Sequence, residues 1–375
     1  MRALIAEQGA SRGAVAAVRA LGRDGWHVGV AAPGAGGLAA ASRWCAARHD
    51  VPAAHRDADR FVAGIAAAVV EGGYEVVFGA GEAEVMALSL HRDRLSAAVP
   101  YAEHDVVQRA LDKSTLEEFA RDVGILLPRT VGPADVAVEQ PVVVKARRHA
   151  AVDRPGAPPR IDTNVVFGPD AARRRLQQLA DLGADPFLQE YLDGHLLAYA
   201  VVTDRQGDVV ADSMQVASRI WPPYAGASCR AQTIAVDPDV AARCRDLLAA
   251  LGWFGLAELQ FVVPAGGGPR LIDFNGRFYG SMALAAAAGA NLPAVWARLA
   301  TDRRVGRTTA RGGVRYQWLE GDVRRAWVER QPSVVADVAA TVLSGLRAHH
   351  SLLGADWRPA AVRVGQVMRA GGSGV

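Results

Sequence analysis

The chain has 375 residues, of which 50% are hydrophobic and 22% are charged, a composition typical of a packed protein with two or three domains. Its 42 basic and 39 acidic residues leave a net charge of only +3, which argues against a nucleic-acid partner. Its three cysteines are widely spaced and no apolar segment is long enough to span a bilayer, so we expect a cytoplasmic protein without a disulfide framework, a zinc knot or a membrane partner.

The first 105 residues alternate apolar strands with helices. RALIAEQGASRGAVAAVRALGRDGWHVGVAAP predicts a strand, a turn, a helix and a second strand, and YEVVFGAGEAEVMALSLHRDRL predicts another strand and helix. Continuous apolar strands of this kind favour a parallel sheet covered by helices. The turn GASRG lacks a full GxGxxG pattern, and no acidic residue follows at the distance usual for a ribose, so we expect no dinucleotide site there.

The sequence DKSTLEEFARDVGILLPRT, residues 112–130, predicts a helix. Ser114 is the predicted N-cap, with Glu117 three residues later as in a capping box, and Gly124 favours the end of the helix. The later predicted elements are a strand at 141–147, a polar loop at 147–164, a strand at 186–192, several strands between 192 and 235, a helix at 238–252, a short strand within 313–322, a helix near 333–348 and a flexible end at 370–375.

The segments AELQFV and LIDFNG, joined by PAGGGP, predict a β-hairpin whose two faces differ. A symmetric register would place Glu258 opposite Asn275 and Gln260 opposite Asp273, with β-carbons about 5 Å apart. Two carboxylates that close repel each other unless a cation lies between them, and carboxylate and amide oxygens suit Mg²⁺. The pattern therefore predicts a metal site, and the alternative is a solvated strand face.

Residues that follow the second strand extend the same polar face. Arg277 comes two residues after Asn275, so we expect it to face the same site, where an arginine can neutralise charge on a transferring phosphoryl group. Gly280 and Ser281 are predicted to open a helix whose N-terminus can hold an anion.

Lysine is rare in this chain: only Lys113 and Lys145 occur, against 40 arginines. A lysine carries a compact charge on a thin stem, whereas arginine is a planar fork. The two lysines and the hairpin lie in motifs that resemble those of ATP-grasp enzymes of the carboxylate–amine ligase type, similar to carbamoyl-phosphate synthase. DKSTLEEFARDVGILLPRT resembles the entry to the ATP-binding region, VVVKAR the strand with the nucleotide lysine, FLQEYLDG the adenine hinge, and AELQF with LIDFNGRFYGS the metal and phosphate strands.

The resemblance implies an α/β (α+β) ATP-grasp fold. It implies a Rossmann-like pre-ATP-grasp domain at 1–105, a lid subdomain at 106–190, a metal and phosphate subdomain with an antiparallel sheet at 191–300, and a C-terminal extension at 301–375. We assign no role to the extension. A closed homodimer is the expected assembly if the chain associates with itself.

The resemblance also implies a role for each candidate site residue. Catalysis falls to Arg277 and Lys145. ATP-binding residues are Lys113, Lys145, Gln189, Glu190, Leu192 and His195. Metal ligands are Glu258, Asp273 and Asn275. Substrate-binding residues are Arg12, Glu82, Arg219, Arg230 and Ser281. For the three arginines of the last set, a solvated surface position is the alternative.

The implied activity is an ATP-dependent ligase that joins a carboxylate to an amine through an acyl phosphate, releasing ADP and phosphate. The cofactors would be ATP and two Mg²⁺ ions, with Mn²⁺ as a substitute, and the substrates would be small amino-acid-like molecules. Asp273 stands where the family more often has glutamate, and Leu196 stands where an acidic residue often holds the ribose. Two alternatives therefore stay open: a thiol or enol-type acceptor, and a nucleotide-binding protein without turnover.

Overall fold

The computed structural model describes residues 1–148, 161–344 and 349–371. The first elements are β1 (Arg2–Ala6), α1 (Arg12–Arg23), β2 (His27–Ala32), β3 (Cys45–Asp50), α2 (Ala58–Gly72), β4 (Val76–Gly79) and α3 (Glu82–Leu90). The strands form a parallel sheet in the order β3-β2-β1-β4, which confirms the predicted parallel sheet and its alternation with helices. Apolar side chains of β1, β2 and β4 are buried because helices cover the sheet.

Helix α1 begins at a turn that brings the N-terminal sheet against a distant part of the chain. The Ser11 side chain accepts a hydrogen bond from the Ala14 amide at 3.1 Å and so caps the helix. A β-carbon on Gly13 would lie 2.6 Å from the Phe278 carbonyl oxygen, so the backbones pack directly against each other. This close packing fixes where Arg12, the first helical residue, projects.

A smaller antiparallel sheet follows. Its region contains α4 (His104–Leu111), α5 (Lys113–Asp122), β5 (Thr130–Val131), β6 (Pro141–Ala146), β7 (Asn164–Phe167), α6 (Pro169–Asp181) and β8 (Pro186–Glu190). The strand order is β5-β8-β6-β7, and apolar side chains of β6, α6 and β8 form a separate small core. The strands predicted at 141–147 and 186–192 are therefore confirmed, and residues 149–160 of the predicted loop lie outside the described residues.

The start of α5 differs from the prediction. Asp112, and not Ser114, is the N-cap, and its Oδ1 accepts hydrogen bonds from the amides of Ser114 and Thr115. A carboxylate is a strong N-cap because it accepts two hydrogen bonds and faces the positive end of the helix dipole. The Lys113 amide donates to the Arg147 carbonyl at 3.0 Å, which ties the start of α5 to the end of β6.

The largest sheet has eight strands. Its region contains β9 (Gly194–Thr203), β10 (Val209–Trp221), β11 (Ala227–Ile234), α7 (Pro238–Leu251), β12 (Gly255–Pro264), β13 (Arg270–Asn275), α8 (Ala283–Ala287), α9 (Leu292–Ala300), β14 (Thr308–Thr309), β15 (Arg315–Gln317), α10 (Leu319–Glu329), α11 (Pro332–Ser344), β16 (His349–His350) and α12 (Arg358–Gly371). Seven strands follow the order β13-β12-β9-β10-β11-β15-β16, and β14 pairs with β10. The predicted hairpin is present as β12 and β13 with the predicted register.

The C-terminal residues are more regular than predicted. The strand expected within 313–322 ends at Gln317, and a helix follows from Leu319. Residues 370 and 371, expected to be flexible, close the helix α12, and residues 372–375 lie outside the described residues. The strands β14, β15 and β16 join the large sheet, so this region packs with the residues before it. In the described ranges, helices long and apolar enough to cross a bilayer are absent.

Candidate active site

One large cavity is lined by residues from all three sheets. Its volume is about 1080 Å³, which exceeds the range typical of small-ligand sites. The N-terminal sheet contributes the residues after β1 and β4, the small sheet contributes β6 and β8, and the large sheet contributes β10, β12 and β13. The cavity therefore lies where the carboxyl ends of parallel strands meet two antiparallel sheets.

The predicted oxygen donors lie together on the β12–β13 ribbon. Glu258 pairs with Asn275 and Gln260 with Asp273, and all four side chains line the cavity. The Glu258 carboxylate is buried and accepts hydrogen bonds from Gln260 Nε2 at 3.0 Å and Asn275 Nδ2 at 3.1 Å. Burial raises the pKa of Glu258 to about 7, and the charge of Asp273 adds to this rise. The ribbon thus holds two carboxylates close enough to repel each other.

The ribbon's donors fit a magnesium ion. They are two carboxylates and an amide, the hard oxygen ligands that Mg²⁺ takes in small numbers. The carboxylates of Glu258 and Asp273 repel each other, and a cation bound between them would remove this repulsion. Asn275 uses its Nδ2 to bond Glu258, so its Oδ1 takes no part in that bond. Groups of three or more histidine, cysteine or acidic ligands are absent from the described residues.

Both lysines lie beside the ribbon. Lys145 donates from Nζ to the Ile272 carbonyl at 2.8 Å and lines the cavity. Its burial lowers the pKa of its ammonium group to about 8, although the charge of Asp273 opposes this change. Lys113 Nζ lies 3.6 Å from Asp273 Oδ1, and the Lys113 side chain is buried behind the cavity wall and does not line the cavity. The structure thus brings the two lysines together, with only Lys145 at the surface of the cavity.

The opposite wall comes from the N-terminal sheet and α3. Glu82 and Glu84 are buried and line the cavity, and Glu84 accepts a hydrogen bond from Gln8 Nε2. Burial raises the pKa of Glu84, and the nearby Arg277 guanidinium partly opposes the change. One oxygen of each glutamate, Oε2, has no hydrogen-bond partner among the described residues. This wall therefore presents buried carboxyl oxygens toward the cavity.

Two arginines lie near this wall. Arg277 lines the cavity and interacts electrostatically with both Glu84 and Glu258, so it lies between the ribbon and the N-terminal wall. Arg12 lines the cavity with its guanidinium 3.7 Å from the centre of the Trp318 ring. It also donates to the Tyr316 hydroxyl at 3.3 Å. The stacking holds Arg12 in one orientation.

The predicted hinge residues line the cavity on the side of β8. Gln189 is buried and donates from Nε2 to Glu117 Oε1 at 2.6 Å. Glu190 forms an ion pair with Arg129 at 2.8 Å, so its carboxylate is already occupied. Leu192 lies between β8 and β9 and His195 is the second residue of β9, and both line the cavity.

Two predicted substrate residues, Arg219 and Arg230, have partners outside the cavity lining. Arg219 lines the cavity, but both Arg219 and Arg230 form ion pairs with Asp322 and Asp337, at 2.5–2.9 Å. Arg230 does not line the cavity. These carboxylates belong to α10 and α11, so the sequence around the two arginines could not reveal that they are paired.

The predicted anion site at the start of a helix is not formed. Helix α8 has five residues and begins at Ala283, after Gly280 and Ser281. Ser281 is buried, does not line the cavity, and accepts a hydrogen bond from Gln215 Nε2 at 2.8 Å. The reason is that the segment after β13 packs against α1 before any helix begins.

The comparisons with known proteins agree with this architecture. A family model described as ATP-grasp in the biosynthetic pathway with Ter operon matches residues 186–322. The biotin carboxylase domain of 2-oxoglutarate carboxylase from Hydrogenobacter thermophilus, solved with MgADP, ADP and bicarbonate, has a TM-score of 0.62 at 14% identity, over 84% of this chain and 73% of that chain. The chain therefore has the ATP-grasp fold.

Other ATP-grasp structures are similar at the level of the fold. The L-amino acid ligase of Bacillus licheniformis has a TM-score of 0.60 at 14% identity, over 80% of this chain and 74% of that chain. The N5-carboxyaminoimidazole synthetase of Staphylococcus aureus has a TM-score of 0.59 at 11% identity, over 82% of this chain and 78% of that chain. No curated relative matches the sequence.

Residues that the sequence did not single out for this role also lie at or beside the cavity. Glu117 was predicted only as part of a capping box, yet it contacts Gln189 and lies near Lys145. Tyr191 and Tyr224 line the cavity with their ring centres 5.8 Å apart. Its position within the hinge motif FLQEYLDG was a usable signal for Tyr191. Tyr224 lies in the β10–β11 connection and carries no such signal.

Proposed function

We propose that this protein is an ATP-dependent carboxylate–amine ligase that forms an amide through an acyl phosphate. The observation that supports this proposal most strongly is the meeting of the two lysines of the chain with the oxygen donors of the β12–β13 ribbon at one end of the cavity. Arginine supplies every other basic side chain outside histidine, so the use of lysine at both places favours a site that requires a compact positive charge.

The ribbon end is the proposed phosphate end. Glu258, Asp273 and Asn275 would hold Mg²⁺, which when bound neutralises charge on the phosphate oxygens. Lys145 would contact phosphate oxygens from the floor of the cavity. Lys113 would hold Asp273 in place and add a second positive charge at this end, with a direct phosphate contact as the further prediction for it.

The hinge end is the proposed nucleoside end. Gln189, Glu190 and Leu192 would bind adenine mainly through backbone groups, because the Gln189 and Glu190 side chains already bond Glu117 and Arg129. The exposed His195 is the candidate ribose contact in place of the acidic residue that Leu196 replaces. Binding along this edge would place the triphosphate against the ribbon, since both line one cavity.

The chemistry would take two displacements. An oxygen of the substrate carboxylate attacks the γ-phosphorus of ATP, the bond to the β-phosphate oxygen breaks, and ADP leaves. A neutral amine then attacks the acyl carbon, the bond from that carbon to the phosphate oxygen breaks, and phosphate leaves with an amide as product. Arg277, between the ribbon and the N-terminal wall, would stabilise the charge on the transferring phosphoryl group. The chain would contribute positioning and charge neutralisation.

The nature of the wall opposite the ribbon supports an amine as the acceptor. Glu82 and Glu84 present buried carboxylate oxygens without partners among the described residues, and such oxygens favour a cationic or N–H-donating ligand. Arg12 would contact a substrate anion from the same side. Arg219 would reach the substrate only from within its ion pairs with Asp322 and Asp337, and Arg230 and Ser281 would act on the substrate indirectly.

Phosphate release from ATP tests the proposal. The full chain is incubated with ATP and Mg²⁺, first alone, then with amino acids singly, and then with pairs of a carboxylic acid and an amine. We expect release that requires both an acid and an amine. Release with a thiol or an enol-type acceptor in place of the amine would instead identify the acceptor as different, and binding of ATP without release under any condition would identify a nucleotide-binding protein.

Trapping of the intermediate gives a separate test. Hydroxylamine is added in place of the amine, and the hydroxamate is measured by its coloured ferric complex. An acyl phosphate predicts hydroxamate formation with the carboxylic acid alone, in the same amount as the ADP released. ADP formation without hydroxamate would contradict an acyl phosphate.

A further inference from the structure

A second cavity opens between α3 and α4, next to the proposed active site. We call it the α3–α4 groove, and its volume is about 350 Å³. Helix α3 contributes Ala83, Met86, Ala87 and Leu90, which lie on one face at the spacing of successive helical turns. Its wall along α3 is therefore apolar, and its size is in the range of sites for small molecules.

The wall along α4 is more polar. His104, Gln108 and Leu111 lie on one face of that helix and line the groove. His104 bonds through Nδ1 to the Ser89 hydroxyl at 2.9 Å, and burial lowers its pKa, which favours the neutral ring. Arg148 also lines the groove but is already paired with Asp112 at 3.5 Å. The groove thus combines an apolar wall with a few polar groups, and two of these, His104 and Arg148, already have partners.

Glu82 joins the groove to the main cavity. It lines both, as the first residue of α3. The side chain is only 9% exposed, and its Oε2 has no hydrogen-bond partner among the described residues. An unpartnered carboxylate oxygen at this depth costs free energy unless a ligand with N–H donors completes it. A ligand in the groove would place such a group at the junction, where the acyl carbon would arrive from the other side.

We propose that the α3–α4 groove binds the amine substrate, a primary amine on an apolar body, with the amine at Glu82 and the body between α3 and α4. The role of the bound amine as acceptor rests on the proposed ligase function, because an amine held at the junction faces the cavity where the acyl phosphate would form. The groove explains why a buried acid whose Oε2 has no hydrogen-bond partner among the described residues lies at the edge of the cavity. It also assigns a substrate class to the acceptor side of the reaction.

Direct binding tests the groove without any catalysis. L-leucinamide, which has a primary amine and an apolar body, is titrated calorimetrically into the full chain in the absence of nucleotide. N-acetyl-L-leucinamide lacks the amine and glycinamide lacks the apolar body. We expect leucinamide to bind at least about tenfold more tightly than either control, because N-acetyl-L-leucinamide loses the charged hydrogen bond and glycinamide loses the apolar contact. Equal binding of all three would overturn the proposal.

Two variants locate the binding. Glu82→Gln keeps the shape of the side chain and removes its charge, and we expect about tenfold weaker leucinamide binding. Gln108→Phe fills the groove from α4, a helix that contributes no residue to the lining of the main cavity, and we expect a similar loss. Leu90→Ser, at an exposed position on the groove wall, replaces it if the phenylalanine variant does not fold. Glu118→Gln, on the exposed side of α5, is the matched control and should bind like the parent.

The outcomes separate this inference from the proposed function. Suppose that an acid and an amine together drive phosphate release, but the affinity for leucinamide is unchanged in Glu82→Gln and Gln108→Phe. The groove proposal is then wrong and the ligase proposal stands. If leucinamide binds as expected but no pair of substrates drives phosphate release, the groove stands as an amine site and the ligase proposal is wrong. Loss of binding in Glu82→Gln alone would place the amine in the main cavity and also overturn the groove.

Discussion

At the scale of single residues, the buried charges around Asp273 depend on one another. Lys113 lies 3.6 Å from Asp273, and Lys145 bonds the carbonyl of Ile272, the residue before it. Burial makes each isolated charge unfavourable, as the lowered pKa of Lys145 indicates, so the group is stable only when its charges are balanced. A triphosphate and a divalent cation would add charge of both signs to this group.

The first prediction concerns the choice of lysine at 145. Lys145→Arg keeps the positive charge but places a larger, planar group in a buried position beside the Ile272 carbonyl. We expect a loss of at least about 100-fold in kcat/KM for ATP-dependent phosphate release, as for a misplaced phosphate ligand. Arg174→Lys, at an exposed position of α6, is the control for a basic exchange and should retain activity. Near-normal activity in Lys145→Arg would show that charge alone matters there.

At the scale of the elements, the junction of β1 with α1 determines how the N-terminal sheet meets the rest of the molecule. Glu7, after β1, is buried and accepts hydrogen bonds from the amides of Ser11 and Ala39. Gly13, in the first turn of α1, lies against the Phe278 carbonyl with no space for a side chain. The junction thus depends on one buried acid and one missing β-carbon.

Gly13→Ala should separate these two surfaces. Its β-carbon would lie 2.6 Å from the Phe278 carbonyl oxygen, and backbone on both sides must move to accept it. We expect a destabilisation of about 1–3 kcal/mol, typical of overpacking, seen as a lower Tm, together with weaker ATP-dependent activity because Phe278 follows Arg277. Gly365→Ala, in α12 with open space around it, is the matched control and should raise the Tm slightly.

Glu7 predicts a pH dependence of stability. Burial raises its pKa from 4.5 to about 7, so between these pH values the folded chain keeps a proton that the unfolded chain releases. Stability from this group is therefore present at low pH and is lost as pH rises through this window, by up to about 3 kcal/mol. We expect Glu7→Gln to reduce the fall in Tm between pH 5 and pH 8, whatever its absolute Tm.

The control for this prediction is Glu118→Gln, at an exposed position, which should leave the fall in Tm unchanged. The buried Glu84 has a raised pKa from the same cause and would preserve part of the fall in either variant. An identical pH dependence in Glu7→Gln and the parent chain would contradict a raised pKa at this position.

At the scale of the whole molecule, contacts distant in sequence join the C-terminal residues to α1 and to the large sheet. Asp356 accepts hydrogen bonds from Arg19 at 2.9 Å, from the Ser42 hydroxyl at 2.6 Å and from the Arg43 amide at 2.9 Å. Arg19 also donates to the Ser351 carbonyl. These buried contacts tie the region before α12 to α1 and to the residues just before β3.

Removal of this tie should destabilise the chain strongly. Asp356→Ala leaves the buried Arg19 guanidinium without its carboxylate, and we expect a cost of about 3–5 kcal/mol, measured as a lower Tm. Asp170→Ala breaks an exposed ion pair with Arg173 of similar length, 2.8 Å, and should cost about 1 kcal/mol or less. Similar effects of the two substitutions would mean that the Asp356 contact does not hold the C-terminal region in place.

The local pattern of apolar and polar residues was sufficient to predict the parallel sheet, the helix α7 and the register of the β12–β13 hairpin. Each of these depends on residues near one another in sequence, where periodicity and turn residues act directly. The pairing of Glu258 with Asn275 follows from the length of one loop. The two lysines could be selected because their rarity is a property of composition.

Only the tertiary structure decided which side chains face the cavity and which are used elsewhere. Arg219 and Arg230 resemble ligand contacts until Asp322 and Asp337, about 100 residues away, are seen to bind them. Glu117 becomes a neighbour of Gln189 only when α5 packs beside β8, and the α3–α4 groove exists only because two helices leave a space. Partners so far apart in sequence are chosen by packing and burial, which no local pattern encodes.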